Sequence, residues 1–150
     1  MGKKRIIQKT QEELIQEREK VDQKLKKEVV LKAGARFHKA KICITSTYNN
    51  TIITLANENG DVLLNRSAGA VGFRGTKKGT SFAGSKVAEA VVAACEKMGV
   101  RDIEISIKGI GGGRATALKT LANRGLEIHS IKDITPIPHN GCRPKKPRRV

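Results

Sequence analysis

Long apolar runs, paired cysteines and clustered carboxylates are all missing from this sequence, and each absence removes a class of function. No apolar stretch approaches the roughly 18–20 residues that span a bilayer, so a membrane-spanning helix is excluded. The N-terminus, Met1-Gly2-Lys3-Lys4-Arg5, is basic, but residues 8–27 are too polar for a signal-peptide core. Gly2 is not followed by the Ser or Thr that lipidation requires, since Ile6 holds that position. Cys43, Cys95 and Cys142 are odd in number and widely separated. Cys43 in a strand pattern and Cys95 on an apolar helix face read as small buried hydrophobes in a reducing compartment. His139 and Cys142 form only an H-x-x-C pair, short of the four ligands of a zinc site. Neither a metal nor any other cofactor is expected.

Acid is also scarce. Asp plus Glu number 14 against 30 Lys plus Arg, a formal net charge of +16. That excess opposes compaction unless a polyanion neutralises it, which makes nucleic acid the leading partner and anionic membrane the weaker one. Residues 62–88 contain no acid, and hold Arg66, Arg74, Lys77 and Lys78 among Gly69, Gly72, Gly75 and Gly79. With Phe73 in its middle, this reads as a flexible basic loop that moulds onto a phosphate backbone and stacks a base. The plainer alternative is a solvated loop whose charges only aid solubility.

A second acid-free stretch separates Glu104 from Glu127 and contains Lys108, Gly109, Ile110, Gly111, Gly112, Gly113, Arg114 and Lys119. An alternating run (Ile103, Ile105, Ile107) precedes it, and Ala115, Leu118, Leu121 and Ala122 follow at helical spacing. Strand, glycine loop and helix together would offer backbone N–H groups and a positive dipole end to an anion. The nucleotide motif G-x-x-x-x-G-K-[ST] is absent, and Arg114 stands where G-x-G-x-x-G needs its last glycine. The anion expected is therefore a polymer backbone. A tight strand-to-helix turn is the competing explanation for the same glycines.

Proline is absent until residue 136, and all four prolines lie in the last fifteen residues with five basic residues and no acid. Such a tail cannot form a core. Before it the chain divides into an appendage over 1–36 and a core over 37–135. Thr10-Gln11-Glu12-Glu13 fits a capping box that opens a helix over 10–28, with few apolar residues to bury. In the core, residues 41–45 and 51–56 read as strands joined by a turn at Asn49-Asn50. Asn59-Gly60 signals a tight hairpin into a third strand over 62–65. Thr80 or Ser81 caps a long helix whose stripe runs Ala83, Val87, Ala90, Val91, Ala94, Cys95, Met98 and ends at Gly99. A strand over 100–108, the glycine loop, a short helix closed by Gly125 and a last strand from Leu126 complete the core. Ile128, Ile131 and Ile134 do not alternate cleanly, which predicts a bulge or an early end of the strand. The result is an α/β fold with a mixed sheet, antiparallel in front and built from strand–helix–strand crossovers behind.

Four blocks resemble the bacterial small-subunit ribosomal protein eleven family. They are Tyr48-Asn49-Asn50-Thr51-Ile52, Gly72-Phe73-Arg74-Gly75 with Lys77 and Lys78, Lys108 with the glycine loop through Arg114, and the tail from Asp133 to Pro144. The resemblance implies a three-layer α/β/α fold like that of ribonuclease H, with a mixed five-stranded sheet. It implies a cytoplasmic, ribosomal protein that binds 16S ribosomal RNA on the platform and helps form the Shine–Dalgarno cleft, close to messenger RNA. Small-subunit proteins seven, eighteen and twenty-one are the implied neighbours. The candidate RNA contacts are Tyr48, Asn49, Asn50, Arg66, Arg74, Gly75, Lys77, Lys78 and Arg114, with Gly109, Gly111, Gly112 and Gly113 of the loop. In the tail they are His139, Asn140, Arg143, Lys145, Lys146, Arg148 and Arg149. The loop departs from the family's usual Gly-Pro-Gly-Pro-Gly at Ile110 and Gly112, and the N-terminal segment is longer than the family's short basic arm.

Two rival functions remain. Nuclease chemistry on such a fold needs carboxylates converging on two metal ions, yet the first strand carries none and the others are scattered over Glu58, Asp61, Asp102, Glu104 and Asp133. A DNA-compacting protein would explain the charge, but not a defined core with a separate glycine loop and tail.

Overall fold

The computed structural model describes residues 37–143 together with Glu19 and Lys145. The helix expected over 10–28 therefore lies, but for Glu19, outside the described residues, as do Lys146, Arg148 and Arg149.

Alternation in the sequence becomes alternation across a sheet. Strand β1 (Lys39–Ser46) buries Ala40, Ile42 and Ile44 and turns Lys39 and Lys41 to solvent. It pairs antiparallel with β2 (Thr51–Ala56), which pairs antiparallel with β3 (Val62–Ser67). On its other side β1 pairs parallel with β4 (Asp102–Lys108), and β4 pairs parallel with β5 (Glu127–Asp133). The order β3-β2-β1-β4-β5 is the expected mixed five-stranded sheet. Of the two outcomes expected in β5, a bulge or an early end, the bulge is found: Ile103 faces Ile128, but Glu104 faces Ser130. The extra residue keeps both Ile128 and Ile131 on the helix side, since Ile131 pairs with Ile105.

Helix α2 (Ser81–Met98) starts at Thr80, whose hydroxyl accepts a hydrogen bond from the Ala83 N–H at 3.3 Å. It stops at Gly99, with φ +75. Its buried stripe of Ala83, Val87, Val91, Ala94 and Cys95 covers Ile42, Ile44, Ile53 and Leu55 of the sheet. Helix α3 (Gly113–Ala122) lies beside it, with Ala117 and Leu121 buried. The two helices touch without a side chain between them, since a Cβ on Gly84 would lie 2.7 Å from the Gly113 carbonyl oxygen. Burial, and then the neighbouring Glu96 charge, push the Cys95 thiol up to about 12, so it serves as an inert core residue.

The helices occupy one face. The opposite face carries Lys41, Cys43, Thr45, Thr54, Glu104 and Ser106, with Lys41 opposite Glu104 and Cys43 opposite Ser106. No helix among the described residues covers it, so these residues supply the sheet and one helical layer of the expected sandwich. Cys43 consequently departs from expectation, being half-buried on this polar face rather than a core hydrophobe.

Two other local readings need correction. The hairpin between β2 and β3 is a five-residue loop, closed by Asn57 N–H to the Asp61 carbonyl at 3.0 Å and by Asp61 N–H to Asn57 Oδ1 at 2.9 Å. Only Gly60 in that loop has positive φ, so the paired positive-φ turn implied by Asn59-Gly60 does not form. The stretch expected as a flexible basic loop contains a short helix α1 (Ala68–Val71), capped by Ser67, and a 3-10 turn over Gly75–Gly79. Ala68 and Val71 enter the core, and apolar anchoring at both positions fixes what glycine content alone suggested was loose.

Replacing Gly84 by Ala is expected to lower stability by about 1–3 kcal/mol, because neither backbone can retreat without opening the core. Urea unfolding of the purified variant should show the earlier midpoint, and an unchanged midpoint would refute the close approach.

Candidate nucleic-acid interface

The parallel strands β1, β4 and β5 end on the same side of the sheet, and both long helices begin there. At the end of β1 the backbone reverses through Thr47–Asn50. Thr47 donates its N–H to the Asn50 carbonyl at 2.8 Å and accepts the Asn50 N–H on its hydroxyl at 3.1 Å. This turn consumes its own backbone groups and leaves Tyr48 75% exposed, with Asn49 beside it. Asn50 points inward, and its buried Oδ1 has no hydrogen-bond partner among the described residues. Ser46 and Thr51 close the floor, their hydroxyl oxygens 3.3 Å apart.

The glycine loop passes directly over this floor. A Cβ on Gly109 would collide with the Ser46 carbonyl, one on Gly111 with the Thr47 carbonyl, and one on Gly113 with the Thr51 hydroxyl. Gly111 donates its N–H to the Ser46 carbonyl at 3.0 Å, and Gly109 adopts φ +99. Gly111 and Gly113 are buried, so these glycines permit intramolecular packing rather than the open anion cradle expected of them. Gly112 differs: it is exposed, has φ −64, and a Cβ there would sit 3.6 Å from Ser81 Oγ, an ordinary contact. Its N–H and that of Gly113 have no hydrogen-bond partner among the described residues.

Similar contacts gather the remaining segments. Ser81 Oγ donates to the Gly112 carbonyl at 3.2 Å, and Thr116 Oγ1 donates to the Ser81 carbonyl at 2.9 Å. These bonds hold the N-termini of α2 and α3 side by side, with no acidic residue in either first turn. Their positive dipole ends therefore add at one place. Gly79 lies against the Tyr48 carbonyl, with no room for a Cβ. That contact sets the basic 3-10 turn next to the β1–β2 turn, with Arg74, Gly75 and Lys77 exposed and Lys78 half-buried. Arg66 is half-buried on β3 close to the same end, where Ser67 pairs with Ile52.

Arg114 is not directed at solvent alone. It donates through Nη1 to the Gly109 carbonyl at 3.1 Å and through Nη2 to Asp133 Oδ2. The Thr135 hydroxyl and backbone N–H, followed by the Arg114 guanidinium, hold the Asp133 carboxyl down at about 2. A carboxyl lowered in the fold keeps its bonds at neutral pH and loses them as pH falls through about 2. Asp133 and Thr135 were not anticipated as site residues. The available signal was a lone acid in an otherwise acid-free C-terminal stretch, two residues before a threonine.

Phe73 also departs from expectation. It packs against the core and meets Phe82 edge-on, with ring centroids 5.9 Å apart, so it is not free to stack a base. Tyr48 and the half-exposed Phe82 are the aromatic rings presented at this end. In the tail His139, Asn140, Arg143 and Lys145 are exposed, and Asn140 has φ +54. Among the described residues no group of three or more His, Cys, Asp or Glu side chains is placed to hold a metal ion. No helix among them is long and apolar enough to cross a membrane.

A family profile described as ribosomal protein S11 matches residues 40–149. The chain belongs to the ribosomal protein S11 family. The small ribosomal subunit protein uS11 of Thermotoga maritima is 52% identical over 107 residues, covering 71% of this chain and 82% of that protein. Its counterpart from Rippkaea orientalis is 53% identical over 107 residues, with the same coverage of 71% and 82%. Membership of this family makes the chain a structural constituent of the small ribosomal subunit in translation, not an enzyme, with ribosomal RNA and ribosomal proteins as partners.

The loop geometry accounts for the family pattern Gly-Pro-Gly-Pro-Gly. Glycine is required at 109, 111 and 113 by the floor beneath them, whereas 110 and 112 face outward. Gly112 already holds a proline-like φ of −64 at the second position of a turn closed by Arg114 N–H to the Gly111 carbonyl at 3.2 Å. Gly112→Pro is therefore expected to stabilise the free protein by about 0.4–1 kcal/mol, by restricting the unfolded chain. Gly111→Ala is expected to destabilise it strongly. Calorimetric melting of the two variants distinguishes this from a loop whose glycines are interchangeable.

Proposed function

We propose that this end of the sheet binds 16S ribosomal RNA on the platform of the small subunit and helps form the cleft of the Shine–Dalgarno helix. The observation that carries the reading is the convergence of three segments distant in sequence: the polar turn at Tyr48–Asn50, the basic 3-10 turn at Gly75–Gly79 and the glycine loop flanked by Lys108 and Arg114. Two helix N-termini face the same way, and Asp133, the acid among these elements, is already paired with Arg114. Arg74, Lys77 and Lys78 supply phosphate contacts, Asn49 and Tyr48 reach sugar and base, and the tail residues His139, Asn140, Arg143 and Lys145 extend the contact outward. Lys146, Arg148 and Arg149 continue it by sequence. Small-subunit proteins S7, S18 and S21 are the neighbours this placement brings close, and messenger RNA lies nearby in the cytoplasmic ribosome. Within the chain, 1–36 serves as an extension, 37–135 as the RNA-binding core and 136–150 as the tail.

Chemical probing of 16S ribosomal RNA, with and without the protein, tests the assignment: protection is expected on platform helices and nowhere else. Affinity should fall steeply with salt. With at least seven basic residues on phosphates at about −0.7 per contact, the slope of log K against log salt is expected to be about −5 or steeper. Equal affinity for duplex DNA at each salt concentration would favour a sequence-neutral compacting role instead.

A further inference from the structure

We propose that Arg114 is a positioning residue: with Asp133 and Thr135 it locks the root of the C-terminal tail to the glycine loop and so aims the tail at RNA. The proposal rests on the RNA-binding reading above and goes beyond it, because Arg114 was expected to be a direct phosphate ligand.

The bonds form a closed ring. Gly109 donates its N–H to Thr135 Oγ1 at 3.0 Å, and the same hydroxyl donates to Asp133 Oδ1 at 2.6 Å. The Thr135 N–H donates to that carboxylate oxygen at 2.9 Å. Arg114 takes the other oxygen, Oδ2, and returns to the Gly109 carbonyl at 3.1 Å. Both backbone groups of Gly109, both carboxylate oxygens of Asp133 and both terminal nitrogens of Arg114 are thereby used inside the protein. Ile134 meanwhile donates its N–H to the Ile107 carbonyl at 2.8 Å, extending the β4–β5 ladder to the edge of the ring. Two of the five guanidinium N–H donors are committed inside the protein and the carboxylate offsets the positive charge, so Arg114 offers a phosphate less than an unpaired arginine would.

The chemistry after the ring explains what it is for. Pro136 follows Thr135 at once and Pro138 comes two residues later, so φ is fixed twice within the first three tail residues. Residues before proline are also restricted to extended conformations. A stiff, extended segment carries the direction set at Thr135 outward to His139 and Asn140, as a free glycine-rich joint would not. Without the ring, the tail would leave the core in many directions and lose that freedom only on binding.

The test uses the full chain and 16S ribosomal RNA, comparing Asp133→Asn, Thr135→Val, Arg114→Gln and the Asp133→Asn/Arg114→Gln double variant. Asp133→Asn removes a negative charge from an RNA-binding protein, so long-range electrostatics alone predicts tighter binding. The lock predicts the opposite sign: affinity about five- to tenfold weaker, with the salt slope unchanged because no phosphate contact is removed. Thr135→Val should do the same without altering charge, and the double variant should bind no worse than Arg114→Gln alone. Hydrogen exchange at the Gly109 N–H should rise in each single variant. Asp133→Asn binding as tightly as the parent or tighter would overturn the proposal, as would effects that multiply in the double variant. A lower melting temperature with normal affinity of the folded fraction would overturn it too. Were the parent chain itself not to bind 16S RNA, the RNA reading would fall and take the lock's purpose with it, even with Gly109 exchange behaving as stated.

Discussion

Backbone presses on backbone at the end of β1, and the placement of every basic segment depends on that contact. Gly79 lies on Tyr48, Gly109 on Ser46, Gly111 on Thr47 and Gly84 on Gly113, each without room for a Cβ. Glycine at these positions carries a conformational cost in the unfolded chain. The return is geometric: two loops, a turn and two helix N-termini meet within a few ångströms of one another. Side chains of ordinary size would push these elements apart and scatter their charges over separate surfaces.

That convergence works against electrostatics in the free protein. A chain of formal charge +16 gathers basic loops and two positive dipole ends at one end of one sheet. Few local acids relieve it: Asp133 pairs with Arg114, and Glu89 pairs with Lys86 at 3.2 Å and Arg124 at 3.3 Å further along the helices. Exposed pairs of this kind contribute little to stability. The apolar layer of Ile42, Ile44, Ile53, Leu55, Ile103 and Ile105 against α2 holds the fold, and the surface charge is left for the polyanion.

Signals in the sequence are legible where the physics is local. Period-two alternation places the strands, Thr80 or Ser81 and Gly99 bound α2, with Thr80 the cap found, and the broken alternation around Ile128 and Ile131 marks an irregularity that is a bulge rather than an early end. The glycine loop was legible as a strand-to-helix connection but not in its role. Glycine permits a phosphate to approach and permits Ser46 to approach equally well, and the partner lies about sixty residues away in sequence. Phe73 failed for the same reason, since an aromatic in a basic stretch looks like a stacking platform until Phe82 is found at its edge. The ring through Asp133 was invisible because it joins residues 109, 114, 133 and 135 across two elements.

The loop and the ring solve related problems at different positions. Beneath the loop, the fixed floor of Ser46, Thr47 and Thr51 makes glycine obligatory at three alternate residues, and the two between them are released to face outward. Filling those two with Ile110 and Gly112 leaves the loop's conformation to be fixed by bonds, where a pair of prolines would fix it by covalent geometry. Gly111 N–H to Ser46, Arg114 N–H to the Gly111 carbonyl and Ser81 Oγ to the Gly112 carbonyl fix its later part, while Gly109 is held by Thr135 and by the Arg114 guanidinium. Both of the Gly109 bonds run through the ring, so in this chain the polar lock that directs the tail is also what holds the loop's first glycine in place. Loop and tail are therefore coupled here, and a change at Asp133 is felt at Gly109 before it is felt by any RNA.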